Sequence, residues 1–125
     1  MILCDTNILI ELYKANPVVI PILQRIGSAK IAISVITKAE LFYGARDKQE
    51  LAKIEQHTRL CCCYGINDSV SALFIELMSC YSLSHKVSIP DMLIAATAIN
   101  YGHELYTLNT KDFKFIPELS LYPLE

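Results

Sequence analysis

The chain has 125 residues, 53% of them hydrophobic, so it is long enough to bury a core without disulfide or metal staples. Its formal net charge is -2, from 11 basic and 13 acidic side chains, and this excludes a whole-chain basic surface for nucleic acid. No apolar run reaches the 18 or so residues needed to span a membrane, and no basic leader opens the chain, so the expected compartment is the cytoplasm.

In chain order, Met1-Ile2-Leu3-Cys4 reads as a short buried strand. A helix is expected over Ile8 to Lys14, capped by Thr6 or Asn7. Pro17 restarts the chain, and Val18 to Ile26 is helical in pattern up to Gly27. Lys30 to Ser34 is a second strand. Ile36 to Arg46 and the more polar Lys48 to Thr58 are helices. Leu60 to Tyr64 is a third strand, closed by Gly65. Asp68 or Ser69 caps a long helix through about Leu83. Ser88-Ile89-Pro90 opens another, which Gly102 stops after Tyr101. Glu104 to Leu108 is a fourth strand, and Leu119 to Tyr122 a candidate fifth. The five cysteines include the run Cys61-Cys62-Cys63, whose neighbours point to opposite faces of a strand and cannot share one metal. They read as reduced core hydrophobes.

Strands alternating with helices imply an α/β architecture, a mostly parallel sheet of four or five strands with right-handed crossovers. In such sheets ligands sit beyond the carboxyl ends of the strands. Asp5 falls at that edge. Glu40 follows the second strand, Asp91 opens the Pro90 helix, and Asn109 and Asp112 follow the fourth strand. Carboxylates within ~4–6 Å of one another cannot all stay ionised unaided, and a divalent cation removes the conflict. Mg2+ or Mn2+ takes oxygen ligands without histidine or cysteine and suits phosphodiester hydrolysis.

Each residue has a structural alternative. Asp5 can simply end a strand, and Asn7 can be a helix cap. Thr37-Lys38-Ala39-Glu40 and Ser88-Ile89-Pro90-Asp91 both match the capping box, in which the acid reaches back to a backbone N–H. Asp112 alone reads as a surface acid. His57, His85 and His103 have no partner at ligand spacing and read as surface residues.

Taken together, DTNILIEL, SVITKAELFYGA, IPDMLIAATAINYG and LYTLNTKDF resemble the PIN domain, and within it the VapC-type toxins of bacterial toxin–antitoxin pairs. The resemblance runs over nearly the whole chain in order, as one domain over 1–125. It implies a three-layer α/β/α sandwich and a Mg2+- or Mn2+-dependent endoribonuclease, with Asp5, Glu40 and Asp91 as metal-binding and catalytic residues. Asn7 and Thr107 would support the site. Many family members carry an aspartate where this chain has Asn109, and Asp112 is the candidate for supplying that charge. The resemblance further implies a homodimer and a cognate VapB-type antitoxin whose C-terminal segment fills the active-site groove. Lys38, Arg46, Lys86, Lys111 and Lys114 lie near the motifs and are expected to contact RNA phosphates. Two rivals remain. One is a PIN fold kept as a non-catalytic binding module. The other is a haloacid-dehalogenase-like phosphatase, which wants an aspartate where Asn7 stands.

Overall fold

The computed structural model describes residues 1–124, so the last position of the expected 1–125 domain lies outside the described residues. Its sheet has four strands, β1 (Ile2–Cys4), β2 (Ile31–Ser34), β3 (Cys62–Tyr64) and β4 (Glu104–Tyr106), in the order β3-β2-β1-β4 and all parallel. Among the described residues six α-helices pack with them: α1 (Thr6–Tyr13), α2 (Val19–Ile26), α3 (Val35–Tyr43), α4 (Lys48–Thr58), α5 (Asp68–His85) and α6 (Ile89–Tyr101).

The strands are short, yet their alternation is enough to build two cores. Leu3, Ala32 and Leu105 face one layer, where they pack with Val70 and Leu77 of α5 and Met92, Ala95 and Ala98 of α6. Their neighbours Cys4, Ile33 and Tyr106 face the other, against Ile8 and Leu9 of α1, Ile22 and Leu23 of α2, Leu41 and Ile54. Successive strand side chains point to opposite faces, so a sheet covered by helices on both sides needs apolar residues at every strand position. The result is the expected three-layer α/β/α sandwich.

Several sequence expectations are corrected. The first helix is capped by Asp5 rather than Thr6 or Asn7, and the third by Ser34 rather than Thr37. The chain passes from strand to helix almost without a loop: Asp5 is the single residue between β1 and α1, and Ser34 is both the last residue of β2 and the cap of α3. Asn67, not Asp68 or Ser69, caps α5. The candidate fifth strand is a single parallel bridge between Leu121 and Leu105. Two backbone bonds make it, from the Leu105 N–H to the Ser120 carbonyl at 2.9 Å and from the Tyr122 N–H to the Leu105 carbonyl at 2.8 Å. All five cysteines are free, and burial pushes the Cys4 thiol up to about 12. Among the described residues no helix is long and apolar enough to cross a membrane.

Candidate active site

Asp5 is the centre of the carboxyl edge. Its side chain is only 5% exposed, although it is a carboxylate with no basic partner in any described ion pair. Two donors hold it. The Thr6 N–H donates to Oδ1 at 2.7 Å, and the Thr107 hydroxyl donates to Oδ2 at 2.8 Å. Burial pushes the Asp5 carboxyl up to about 6. The Thr107 and Thr6 bonds pull it down, and the charges of Asp91 and Glu40 push it up again.

Thr107, 1% exposed, has its bonding capacity filled. The Asn109 N–H donates to its oxygen at 3.1 Å and the Asn7 amide at 3.4 Å, so its one proton goes to Asp5. Asn7 also accepts from the Leu108 N–H at 3.3 Å. It therefore ties the first turn of α1 to the segment after β4, and it is not the cap the sequence suggested. Asn109 is exposed, and its backbone N–H serves this network.

Glu40 does not close a capping box. The Ser34 hydroxyl caps α3 by accepting from the Thr37 N–H at 3.2 Å, which puts Glu40 a turn further along. Its Oε1 instead accepts from the Thr6 hydroxyl at 2.6 Å, across to α1. The Thr37 hydroxyl lies 3.1 Å from that of Thr6. Thr6 and Thr37 are thus site residues that sequence reasoning treated only as caps. The one available signal was the position of Thr6 between Asp5 and Asn7 in the first helical turn.

Asp91 sits in the first turn of α6. The Ser88 hydroxyl accepts from its N–H at 3.2 Å, so the helix is capped by Ser88 as the motif suggested. Burial raises the Asp91 carboxyl. A side-chain bond to Ser88 lowers it, and the charges of Asp112 and Glu40 raise it. Asp5, Glu40, Asp91 and Asp112 therefore share one electrostatic neighbourhood, drawn from four separate segments. Among the described residues no three His, Cys, Asp or Glu side chains close around a common point. The acids converge on one rim without forming a complete cage.

The basic candidates divide. Lys38 lies with its Nζ 5.7 Å from the Phe42 ring centroid and close enough to Cys63 to lower that thiol, whose net shift burial keeps upward. Arg46 is paired with Glu50 at 3.0 Å. Lys86, Lys111 and Lys114 are exposed and in no described ion pair. Lys86 ends α5 in the left-handed conformation, and Lys111 lies in the 3₁₀ turn Thr110–Asp112. The three histidines stay apart from the acids. His57 bonds the Tyr13 hydroxyl at 2.8 Å, His103 bonds the Tyr64 hydroxyl at 2.8 Å, and His85 stacks on Phe115.

A groove of about 1070 Å³ runs beside this rim between α1, α3 and α4. Ile10, Leu12, Leu41 and Ile54 make it largely apolar, while Glu40, Arg46, Glu50 and Lys53 supply charges of both signs.

The donor set is oxygen only: carboxylates, threonine hydroxyls and an amide. A carboxylate raised by burial and then by neighbouring acids, with no basic side chain paired to it, fits a hard divalent ion held by one or two carboxylates and water. Asp5 and Asp91, with Glu40 beside them, are the residues that would hold it.

The PIN domain family profile matches residues 2–118. The chain is 30% identical to Ribonuclease VapC19 of Mycobacterium tuberculosis over 122 residues, covering 95% of this chain and 97% of that protein. It is 60% identical to Ribonuclease VapC of Rickettsia bellii, over 46% of this chain and 42% of that protein's length. Among solved structures, VapBC2 from Rickettsia felis bound to a promoter DNA fragment matches with a TM-score of 0.83 at 29% identity, covering all of both chains. A toxin–antitoxin complex from Klebsiella pneumoniae matches with a TM-score of 0.82 at 30% identity, over 99% of this chain and 100% of that one.

Proposed function

The chain belongs to the PIN domain family, and from that premise we propose that residues 1–125 form one such domain acting as the endoribonuclease of a toxin–antitoxin pair. The observation that carries this reading is the Asp5 carboxylate, held by Thr107 and Thr6 and raised chiefly by its burial, with Asp91 and Glu40 adding to the shift. Isolated in the protein alone, such a charge is costly. Burying it is justified where a cation is drawn to it.

A bound Mg2+ or Mn2+ would lower the pKa of a water and neutralise charge on the scissile phosphate. The chain's own residues do the positioning. Thr107 and the Thr6 N–H fix both oxygens of Asp5. The Thr6 hydroxyl holds Glu40 toward the same rim. Asp91 comes from α6, and its acceptor oxygens, with those of Glu40, orient the attacking water. Asn7 locks the segment after β4 so that Asn109 and Asp112 flank the site. Asn109 offers an amide oxygen and Asp112 the additional charge. In hydrolysis the water oxygen bonds to phosphorus and the bond from phosphorus to a ribose oxygen breaks. The unpaired Lys86, Lys111 and Lys114 supply local phosphate contacts; Lys38 and Arg46 would have to leave Phe42 and Glu50 to join them.

The partner in this reading is a VapB-type antitoxin. The groove between α1, α3 and α4 opens beside Glu40 and is apolar enough to take a helical segment followed by a basic tail. A homodimer and a cytoplasmic location belong to the same proposal.

The test is to express the chain, map the new 5′ ends of cellular RNAs, and repeat with Asp5→Asn. Defined cuts are expected with the parent and none with the variant. Equal cutting by both would overturn the assignment. The binding-module alternative predicts no cutting by either.

A further inference from the structure

Three aromatic rings meet outside the acid rim. His85, the last residue of α5, stacks on Phe115 with centroids 4.0 Å apart and planes 17° apart. Tyr81, one turn earlier on α5, meets Phe115 edge-on at 4.9 Å and His85 at 5.6 Å. Ser84 Oγ lies 2.7 Å from His85 Nδ1 and fixes the ring. Phe115 and Tyr81 pack against the α5/α6 core, but His85 is exposed. Its imidazole lies on Phe115 and remains exposed to solvent.

The surroundings have a consistent chemistry. Lys86 follows His85, Lys114 precedes Phe115, and Lys111 is one turn earlier. Among the described residues none of these lysines is in an ion pair. Glu118 lies near the Tyr81 hydroxyl and helps raise it, so that side of the cluster repels phosphate. The cluster is also tethered to the proposed active site. Asp91 lies six positions beyond His85, and Phe115 three beyond Asp112. A stacked aromatic pair with an exposed outer ring, next in sequence to cations in no described ion pair, is how proteins hold single strands: bases stack on rings while basic side chains follow the backbone.

We propose that His85, backed by Phe115 and Tyr81, is a stacking platform for an unpaired base of the RNA, with Lys86, Lys111 and Lys114 along its phosphates. This rests on the nuclease reading and deepens it, because it assigns residues outside the acid rim to holding a base of the substrate. Duplex RNA cannot extend the column, since its bases are already stacked inside the helix.

Binding is measured on Asp5→Asn protein, which leaves the RNA intact, using a short oligoadenylate, the same oligomer annealed to its complement, and an abasic ribose-phosphate oligomer of equal length. The oligoadenylate should bind tightest. His85→Ala should weaken it roughly tenfold, within the range expected for one base–aromatic stack, and leave the abasic oligomer unchanged. His85→Trp should restore the binding. Lys86→Gln with Lys111→Gln should weaken all three ligands and flatten the salt dependence. Melting curves of each variant exclude unfolding, which an exposed His85 should not cause. If His85→Ala binds oligoadenylate like its parent while wild-type protein still cuts RNA, the platform is wrong and the nuclease reading stands. If wild-type protein neither cuts nor binds RNA, both fall. A His85-dependent loss of binding to a protein partner instead, with RNA binding unaltered, would also overturn the platform.

Discussion

Asp5 is the one residue between β1 and α1 and caps the helix with its side chain, and burial pushes its carboxyl up to about 6 where an ordinary aspartate sits at 3.8. The folded state therefore holds that proton more tightly than the unfolded chain. Between about pH 4 and pH 6 the native form binds more protons, so stability is fullest below the unfolded value and is lost as pH rises through 6. The gap corresponds to an upper bound of about 3 kcal/mol. Asp5→Asn removes the ionisation and the cutting together. Thermal melts should show the variant more stable than wild type near neutral pH by about 1–2 kcal/mol, since an amide satisfies the Thr6 and Thr107 donors less fully. Near pH 4 the difference should vanish or reverse. A variant less stable at neutral pH would mean the carboxylate is better solvated than its burial implies. Thr107 tests the same site from the donor side. Thr107→Val deletes the bond that lowers the Asp5 carboxyl, so the pH at which stability falls should move upward, and cutting should drop. Thr107→Ser keeps the hydroxyl and should restore both.

Asp91 separates capping from chemistry at the level of a helix. Ser88 supplies the cap oxygen of α6 to the Asp91 N–H, and its hydroxyl also bonds the Asp91 carboxyl and lowers it. Ser88→Ala should cost about 1 kcal/mol of stability and leave most turnover, while Asp91→Asn keeps the N–H and should lose turnover. Urea melts beside RNA cleavage rates distinguish the two; turnover surviving in Asp91→Asn would reduce the residue to a helix-dipole acid. The strands and the carboxyl edge were legible because apolar runs stop at Asp5 and Ser34, and long helices announce themselves through Pro90 and Gly102. The caps were misread by one to three residues because β1 and β2 turn into helices almost without a loop. The Thr6–Glu40 bond was illegible for a different reason. It depends on how α1 packs against α3, and local spacing offered Glu40 a capping role that α3, starting at Val35, does not use. The shortfall at the fifth strand has the same origin: Leu121 meets Leu105 at a single bridge, and the β propensity of Leu119 to Tyr122 does not set how far a chain end follows its neighbour.

At the scale of the whole molecule, a net charge of -2 with an acidic rim looks unsuited to a polyanionic substrate. The conflict is local, and in the proposed reading a divalent cation would resolve it where it arises, among Asp5, Glu40 and Asp91, while Lys111 and Lys114, in and beside the 3₁₀ turn Thr110–Asp112, offer positive charge. The same logic makes the fold itself a reporter of the ion. A ligand bound by the folded chain alone stabilises it, by about 2.7 kcal/mol at a hundredfold excess over its dissociation constant. Mn2+ should therefore raise the melting temperature of wild-type protein at neutral pH. The shift should shrink near pH 5, where protonated Asp5 no longer offers its charge, and it should be smaller in Asp5→Asn at any pH. Because Asp5 ionised and alone weakens the fold, the ion both recruits the catalytic charge and relieves its cost. A melt indifferent to millimolar Mn2+ at neutral pH would break that link and favour a PIN fold that binds without cutting.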